Sequence, residues 1–394
     1  MPGGGGGGSE PPQSPTPFVS AASGLVDEAA HPLEQLEVLD EKVRDLERLG
    51  DLDAVVECRI KQKALYQVLV YLYGFPLQPL VRAQADLAEA YAAGGYFRQA
   101  HEHLARAREV SAGGIYDDGQ CQRLQVDLLV AEGTVRLLQE QLQAAQEVLL
   151  EAARLVREVY GEMDARAARI HEMLGRIARD RGSYGEAIEY VSAAWEVREW
   201  LHGAEAEETL RLRLDIATLE HLAGHVEEAM QHQRAIIELL ERTNSHPMLY
   251  FESATKLARW LETSARDQQA LEVLEAAERI VTDNFGAEDS KTVDVKRDAA
   301  LINLKLGSHA AALQQLNDVH YYERRLYGSQ STNVARTLKA LGTVHMVHRD
   351  LEDAEQCFLQ ALRIFDAAAP QHATIVKDIH TKLGRISAMA KGSA

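Results

Sequence analysis

The sequence predicts an all-α fold: a right-handed helical solenoid of about eight helix pairs, with degenerate capping helices at its N-terminal and C-terminal ends. Two observations lead to this prediction. Aromatic residues make up only 6% of the 394 residues, whereas Ala, Leu, Glu and Arg are abundant, which favours helices over sheets. A spacing close to 42 residues also recurs along the chain. Because a helix pair of that length cannot bury its apolar faces alone, neighbouring pairs must stack.

The repeat is carried by an alanine that begins the second helix of each pair. It recurs at Ala54, Ala100, Ala145, Ala187, Ala229, Ala270, Ala312 and Ala354, with spacings of 46, 45, 42, 42, 41, 42 and 42 residues. From the second anchor alanine onward, an alanine or glycine stands twelve residues before it and an apolar residue seven after it. Two antiparallel helices approach closely only where one presents a small side chain, so these positions should be buried.

A glycine sixteen residues after the anchor marks the expected end of the second helix. It occurs at Gly161, Gly203, Gly286 and Gly328, where a positive φ can end a helix. The predicted solenoid covers residues 33–390. A Gly/Pro-rich segment at 1–32 and a short tail at 391–394 are expected to be disordered.

The two ends of the solenoid depart from the repeat. In the first unit Lys42 occupies the position of the small residue, so this unit is expected to form a degenerate cap. Leu36, Leu39, Val43 and Leu46 leave a short coiled coil as the alternative, although they span barely two heptads. The last helix, at about residues 372–390, has no partner and is expected to cap the other end.

Composition and charge exclude several classes of protein. The formal net charge of −18 argues against general binding to nucleic acid or to an anionic membrane. Three cysteines cannot build a disulfide framework, and the longest apolar run, at residues 68–73, is too short to span a bilayer. We therefore expect a cytoplasmic protein with protein partners and without membrane insertion.

No motif predicts catalysis. His221 and His225 have the spacing of a ligand pair, but Gly224 between them is expected to end the helix and separate the two side chains. The glycine run at residues 3–8 lacks the Lys-Ser/Thr of a phosphate-binding loop. We predict a protein that is not an enzyme, with no cofactor, no metal and no catalytic residue.

The repeat positions resemble the tetratricopeptide repeat (TPR), in which Leu-Gly or Leu-Ala lies early in the first helix, as at Leu341-Gly342, and alanine begins the second, as at Ala354. The long spacing is similar to the 42-residue repeats of kinesin light chains, and residues 327–338 are typical of that subclass. The heptad region by which kinesin light chains join their heavy chains is absent from this sequence. The stretches at residues 73–108 and 325–342 also resemble the tetratricopeptide repeat protein 23 family, which is associated with cilia.

In this architecture the first helices of the pairs line a concave groove. At the predicted groove positions from the Ala187 repeat onward, basic residues outnumber acidic ones, although the chain as a whole is acidic. The predicted peptide-groove residues are Arg169, Arg176, Arg179, Arg211, Lys256, Arg259, Arg297, Lys305, Arg336 and Lys339. Two interpretations stay open: the charges are solvated and partly paired with each other, or the arginines clamp the carboxylates of an acidic peptide.

These features together predict a non-catalytic scaffold or adaptor that holds partner proteins. The resemblance to the ciliary family implies a ciliary or flagellar assembly, at the axoneme or the ciliary base. One alternative is a cargo adaptor of the kinesin-light-chain kind. The other is a regulatory sensor that binds a peptide or small ligand inside the superhelix.

Overall fold

The computed structural model describes residues 31–114, 116–368 and 373–392, and within these ranges it contains 17 α-helices and no strand. The helices are α1 (Pro32–Leu49), α2 (Leu52–Tyr73), α3 (Gln78–Ala93), α4 (Phe97–Ala112), α5 (Asp118–Leu138), α6 (Leu142–Tyr160), α7 (Ala165–Asp180), α8 (Tyr184–His202), α9 (Glu207–Ala223), α10 (Val226–Thr243), α11 (Pro247–Thr263), α12 (Asp267–Phe285), α13 (Ser290–Lys305), α14 (His309–Tyr327), α15 (Thr332–His348), α16 (Leu351–Ala368) and α17 (Ala373–Gly392). The predicted segment at 1–32 lies outside the described residues except for 31 and 32. Of the predicted tail, residues 391 and 392 belong to α17, and the last two residues are outside the description.

The helices confirm the predicted all-α repeat solenoid. Eight pairs, from α1/α2 to α15/α16, are followed by the single helix α17. We call the first helix of each pair, together with α17, an A helix and the second a B helix. From α4 onward, each B helix begins three residues before its anchor alanine, so the anchor lies in the first turn.

The repeated small residues are buried as predicted. The seven anchors from Ala100 to Ala354 have no exposed surface, and the same holds for the seven residues that follow them by seven positions. Gly133 shows why the position twelve residues before the anchor must be small. A Cβ added there would lie 2.5 Å from the Cδ2 atom of Leu149, which is itself fully buried.

Glycine at the end of the B helices adopts a backbone that side chains disfavour. At Gly161, Gly203, Gly286 and Gly328, φ lies between 80° and 92° and ψ lies between 160° and 178°. The positive φ was predicted, but ψ is extended rather than left-handed helical. This region is open almost only to glycine, so the requirement is stricter than for an ordinary helix cap.

The chain divides into two compact units, unit 1 at residues 1–177 and unit 2 at 178–394, with the division inside α7. In unit 1, Leu39 and Val43 of α1 share a core cluster with Val55 and Leu87, so α1 packs onto its own chain as a cap. In unit 2, Ile379 and Ile386 of α17 join the core cluster of α15 and α16.

Candidate functional site

The ten predicted groove residues all lie on A helices, where their side chains are exposed or half-buried. Arg169, Arg176 and Arg179 are on α7, Arg211 on α9, Lys256 and Arg259 on α11, Arg297 and Lys305 on α13, and Arg336 and Lys339 on α15. Within each unit, side chains of successive A helices meet. In unit 2, the Lys256 ammonium donates a hydrogen bond to the Thr218 hydroxyl at 3.1 Å.

Most of the predicted cations in unit 2 are already engaged by carboxylates. Lys305 contacts Glu262 at 3.0 Å and Asp267 at 3.1 Å, and Lys339 contacts Asp378 at 2.7 Å. Arg211 pairs with Glu207 at 2.7 Å and Arg179 with Asp180 at 3.1 Å. These contacts match the interpretation in which the wall charges partly pair with each other.

Arg297 pairs with two carboxylates, one of which is completely buried. Its guanidinium contacts the carboxylate of Glu323 at 2.9 Å and that of Asp294 at 2.7 Å, and the Glu323 side chain is completely buried. Burial opposes the charge of Arg297, but the two carboxylates outweigh burial and raise the pKa of the guanidinium. Arg297 therefore serves the packing of α13 against α14 instead of facing a ligand.

Arg259 and Arg336 are the exceptions on this wall. Both are exposed, and neither has a hydrogen bond or ion pair within the ranges that the structure describes. They lie on different helices, α11 and α15, and neither lines either of the two cavities described below.

Five arginines of unit 1 lie around a polar cavity of about 810 Å³. We call it the arginine cavity. Its wall includes five arginines and three aspartates: Arg59, Arg82, Arg123, Arg166, Arg169, Asp40, Asp86 and Asp127. Of these eight residues, only Arg169 belongs to the predicted set. Glu47, Glu89 and Asp164, which lie beside the three aspartates, form further ion pairs with Arg59, Arg169 and Arg166.

Three of these arginines have acidic partners. Arg169 forms a salt bridge with Glu89. Arg59 lies 3.6 Å from Asp86. Arg166 lies 3.6 Å from Asp127 and stacks over the Tyr160 ring, with its guanidinium carbon 4.2 Å from the ring centroid.

Arg82 and Arg123 differ from the other three. Both are exposed, and neither has a hydrogen bond or an ion pair to any part of the chain that the structure describes. They come from successive A helices, α3 and α5, and line the same cavity. The charge of Arg82 acts on the Asp86 carboxyl, whose pKa it lowers, but the five donors of each guanidinium are not engaged in a hydrogen bond within the described ranges.

Two further features shape the electrostatics of the cavity. Burial raises the pKa of the Asp86 carboxyl to about 6, and the positive charge of Arg59 only partly offsets this rise. The first turns of α3, α5 and α7 contribute Pro79, Gln120 and Arg166 to the wall. The N-terminal end of a helix carries partial positive charge, but Asp117 and Asp164 already accept hydrogen bonds from the first turns of α5 and α7, so only the start of α3 is without a side-chain cap.

The sequence contained a signal for part of this cavity. Arg82 and Asp127 stand eighteen residues before the anchors Ala100 and Ala145, at the same repeat position as Arg169 and Arg211. The predicted groove positions begin at the Ala187 repeat, two repeats after that of Arg82 and one after that of Asp127, and therefore do not include them. Arg59, Arg123 and Arg166 occupy no predicted groove position, and only the folded chain brings them to the cavity.

The two histidines with the spacing of a ligand pair, His221 and His225, do not converge. Gly224 ends α9, as predicted, and His221 stacks on Trp260 with ring centroids 4.5 Å apart, while His225 contacts Glu220 at 2.6 Å. Among the described residues, no group of three His, Cys, Asp or Glu side chains could hold a metal ion. The same residues include no helix that combines the length and apolar character needed to cross a bilayer.

Comparison with known proteins supports the repeat assignment. Residues 292–367 match the family model of the tetratricopeptide repeat, which confirms that prediction for this segment. A clustered mitochondria protein homolog of Emericella nidulans is 25% identical over 107 residues, which are 27% of this chain. The match spans only 9% of the length of that relative.

Two solved structures share the fold over most of the chain. The apo form of RapI has a TM-score of 0.59 at 12% identity and covers 92% of this chain and 98% of its own. A signal transduction ATPase with a tetratricopeptide repeat sensor, from Pyrococcus horikoshii, has a TM-score of 0.54 at 14% identity and covers 89% of this chain and 55% of its own. At such identities the likeness concerns the fold alone.

Proposed function

We propose that this protein is a non-catalytic interaction scaffold whose arginine cavity binds an acidic segment of a partner protein. The observation that carries this proposal is the pair of exposed, unpaired arginines, Arg82 and Arg123, on the wall of one cavity. Guanidinium groups bind carboxylates through two parallel hydrogen bonds, which gives both affinity and orientation. Neither guanidinium is held at ion-pair distance by a carboxylate of the described residues.

The other three arginines of the cavity are held in place by acidic residues. Arg59, Arg166 and Arg169 are held by Asp86, Asp127 and Glu89, so their positions are fixed before a ligand arrives. Their partners offset part of the positive charge and lower the cost of gathering five arginines. Arg82 and Arg123, which have no ion pair among the described residues, favour an acidic segment over a neutral or basic one and speed the encounter of ligand and site.

The predicted groove residues of unit 2 contribute less in this proposal. Arg179, Arg211, Lys305 and Lys339 have carboxylate partners of their own, and each exposed pair contributes well under about 1 kcal/mol to stability. An acidic ligand would have to displace those partners. We therefore expect an acidic peptide to bind at the arginine cavity and not on the A-helix surface of unit 2.

A binding measurement on the full chain tests the proposal. The probe is a fluorescein-labelled peptide of alternating Glu and Ser, followed by fluorescence anisotropy. The double substitution Arg82→Glu/Arg123→Glu should weaken binding by about tenfold or more, since two charge-assisted contacts become repulsive. The matched control, Arg259→Glu/Arg336→Glu, changes the net charge equally at two exposed, unpaired arginines of unit 2, and it should stay within about twofold of wild type.

Two results would contradict the proposal. One is a wild-type chain that does not bind the acidic probe. The other is an equal loss of binding in both double variants, which would mean that overall charge and not the arginine cavity governs the interaction. Circular dichroism of each variant checks that the helices are retained.

A second candidate function is a sensor for a small anionic ligand. The arginine cavity has the volume of a small-molecule site, for which about 300–1,000 Å³ is typical. Citrate, with three carboxylates, is a suitable probe. If citrate raises the melting temperature of the wild type but not of Arg82→Glu/Arg123→Glu, while the peptide fails to bind, the sensor is favoured over the scaffold.

For the cellular setting we propose a ciliary or flagellar assembly, on the basis of the sequence resemblance described above. A cargo adaptor of the kinesin-light-chain kind is the alternative. Affinity purification with mass spectrometry from ciliated and unciliated cells separates the two. Axonemal or ciliary-base proteins support the first setting, whereas recovery of a motor heavy chain supports the second.

A further inference from the structure

A second cavity of unit 2 has the opposite chemistry. It has a volume of about 510 Å³ and is formed by side chains of α10, α11 and α12. The helices α10 and α12 are successive B helices, and α11 packs against both of them. This cavity therefore opens on the B-helix side of the repeat, whereas the arginine cavity is lined largely by A helices. We call it the glutamate groove.

The floor of the glutamate groove is apolar. Ile237, Leu257 and Leu261 are buried there together with the Tyr250 ring, and Val273 of α12 is half-buried at the wall. Because the four floor residues are already covered by the chain, the apolar surface that a ligand can reach belongs to Val273 and Ala276, which are half-buried. Burial of an apolar side chain against these two residues favours binding.

The edge of the groove is acidic. Glu238 and Glu241 of α10 and Glu272 of α12 are exposed lining residues. Glu241 accepts a hydrogen bond from the Tyr250 hydroxyl at 2.9 Å, but Glu238 and Glu272 have no hydrogen bond or ion pair within the described ranges. The one cation that lines the groove is Arg234, which donates to Gln269 at 3.1 Å.

We infer that the glutamate groove is a docking surface for a basic amphipathic segment of a partner protein. The apolar side chains of that segment would pack on Val273 and Ala276, while its Lys or Arg residues would pair with Glu238 and Glu272. Charge complementarity selects this occupant, because an acidic or neutral segment leaves both carboxylates without a counter-charge.

The chain itself does not supply such a segment at its N-terminus. Residues 1–30 contain three acidic residues and no Lys or Arg. A second copy of the chain, with a net charge of −18, would also be repelled by the acidic edge. A basic partner is therefore the occupant that the groove fits, and the scaffold would hold two partners of opposite charge on separate surfaces.

The test uses the full chain and a fluorescein-labelled helical peptide of Lys, Arg and Leu, with the leucines on one face. The double substitution Glu238→Lys/Glu272→Lys should weaken its binding by about tenfold or more. The control Glu228→Lys/Glu275→Lys reverses two other exposed glutamates on the same two helices, outside the groove, and it should stay within about twofold of wild type. Both variants change the net charge equally.

Three outcomes would overturn the inference. They are the absence of binding to the wild type, an equal loss in the two variants, and equal binding of a scrambled peptide whose leucines do not share a face. Binding of the acidic Glu/Ser probe should be unchanged in Glu238→Lys/Glu272→Lys. A failure at the glutamate groove is thus distinguishable from a failure at the arginine cavity.

Discussion

The A-helix surfaces of the two units carry similar cations in different surroundings. In unit 2, Lys305 and Lys339 contact carboxylates of neighbouring A helices, so each charge is largely balanced within the wall. In unit 1, Arg82 and Arg123 line a cavity and have no such partner among the described residues. The difference shows that a count of basic residues does not locate an anion site. What matters is whether the chain already provides the counter-charge.

The largest expected effect concerns the stability of unit 2. Arg297→Met should lower the free energy of unfolding by about 3 kcal/mol, because it leaves the fully buried carboxylate of Glu323 without its counter-charge. In unit 1, Arg169→Met should cost less than about 1 kcal/mol, since the Arg169 side chain is 45% exposed and Glu89 is partly hydrated. Urea unfolding followed by circular dichroism measures both.

A double variant serves as the control for this prediction. Arg297→Met/Glu323→Leu removes the buried charge together with its partner and should recover most of the lost stability. Equal and small losses for the two single variants would contradict the structural role assigned to Arg297.

A smaller effect is expected from the charge balance of the arginine cavity. Asp86→Asn removes one of the three aspartates on the wall and should strengthen binding of the acidic probe by about fivefold, which corresponds to about 1 kcal/mol. Asp180→Asn, on the A-helix surface of unit 2, is the matched change and should leave the affinity unaltered. An equal gain in both variants would contradict a localised site.

The carboxyl of Asp86 also predicts that binding of the acidic probe depends on pH. The pKa of Asp86 is raised to about 6, so this group is mostly ionised at pH 7 and gains a proton as the pH falls through 6. Loss of its negative charge should strengthen binding of the acidic probe by a few-fold between about pH 7.5 and pH 5.5, where the glutamates of the probe stay ionised. Asp86→Asn should give a flat profile over this range, and a profile identical to that of wild type would contradict the assignment.

The free energy of unfolding should also depend on the ionisation of Asp86, and the folded chain should be more stable when this carboxyl is protonated. Because the folded state holds the Asp86 proton more tightly than the unfolded state, the contribution of this group favours folding at low pH. That contribution is lost as the pH rises from the ordinary aspartate value of 3.8 to about 6. The slope of unfolding free energy against pH should therefore differ between wild type and Asp86→Asn in this window.

The smallest effect tests whether internal pairing weakens the unit 2 surface as an anion site. Glu262→Gln/Asp267→Asn removes both partners of Lys305 and should increase binding of the acidic probe by about twofold. Glu228→Gln/Glu275→Gln, which changes the charge equally at exposed positions, should not. A gain as large as that from Asp86→Asn would show that the two surfaces are alike.

Local spacing was enough to predict the repeat but not the site. The anchors and the small residues before them report contacts within one pair of adjacent helices, so a fixed spacing predicts their burial. The charge state of the wall depends on contacts between pairs. Arg169 meets Glu89, which lies 80 residues earlier in the chain, and no spacing rule in the sequence connects the two.

The arginine cavity also could not be predicted from residue spacing alone. Arg82 stands at a predicted groove position, but its lack of a partner depends on side chains from several helices around it. Arg59 comes from a B helix of the degenerate first pair, where the repeat pattern is weakest. The repeat therefore predicts which residues face the A-helix surface, whereas the folded chain determines which of them remain available to a partner.

Hydrogen–deuterium exchange of the full chain, with and without the acidic Glu/Ser peptide, tests most directly where the anion site lies. We predict slower exchange at the first turns of α3 and α5, around residues 78–86 and 118–127, which contribute Arg82 and Arg123 to the arginine cavity. We also predict unchanged exchange in the helices of unit 2. Slower exchange confined to residues 178–392, or no change anywhere in the chain, would contradict the assignment of the site.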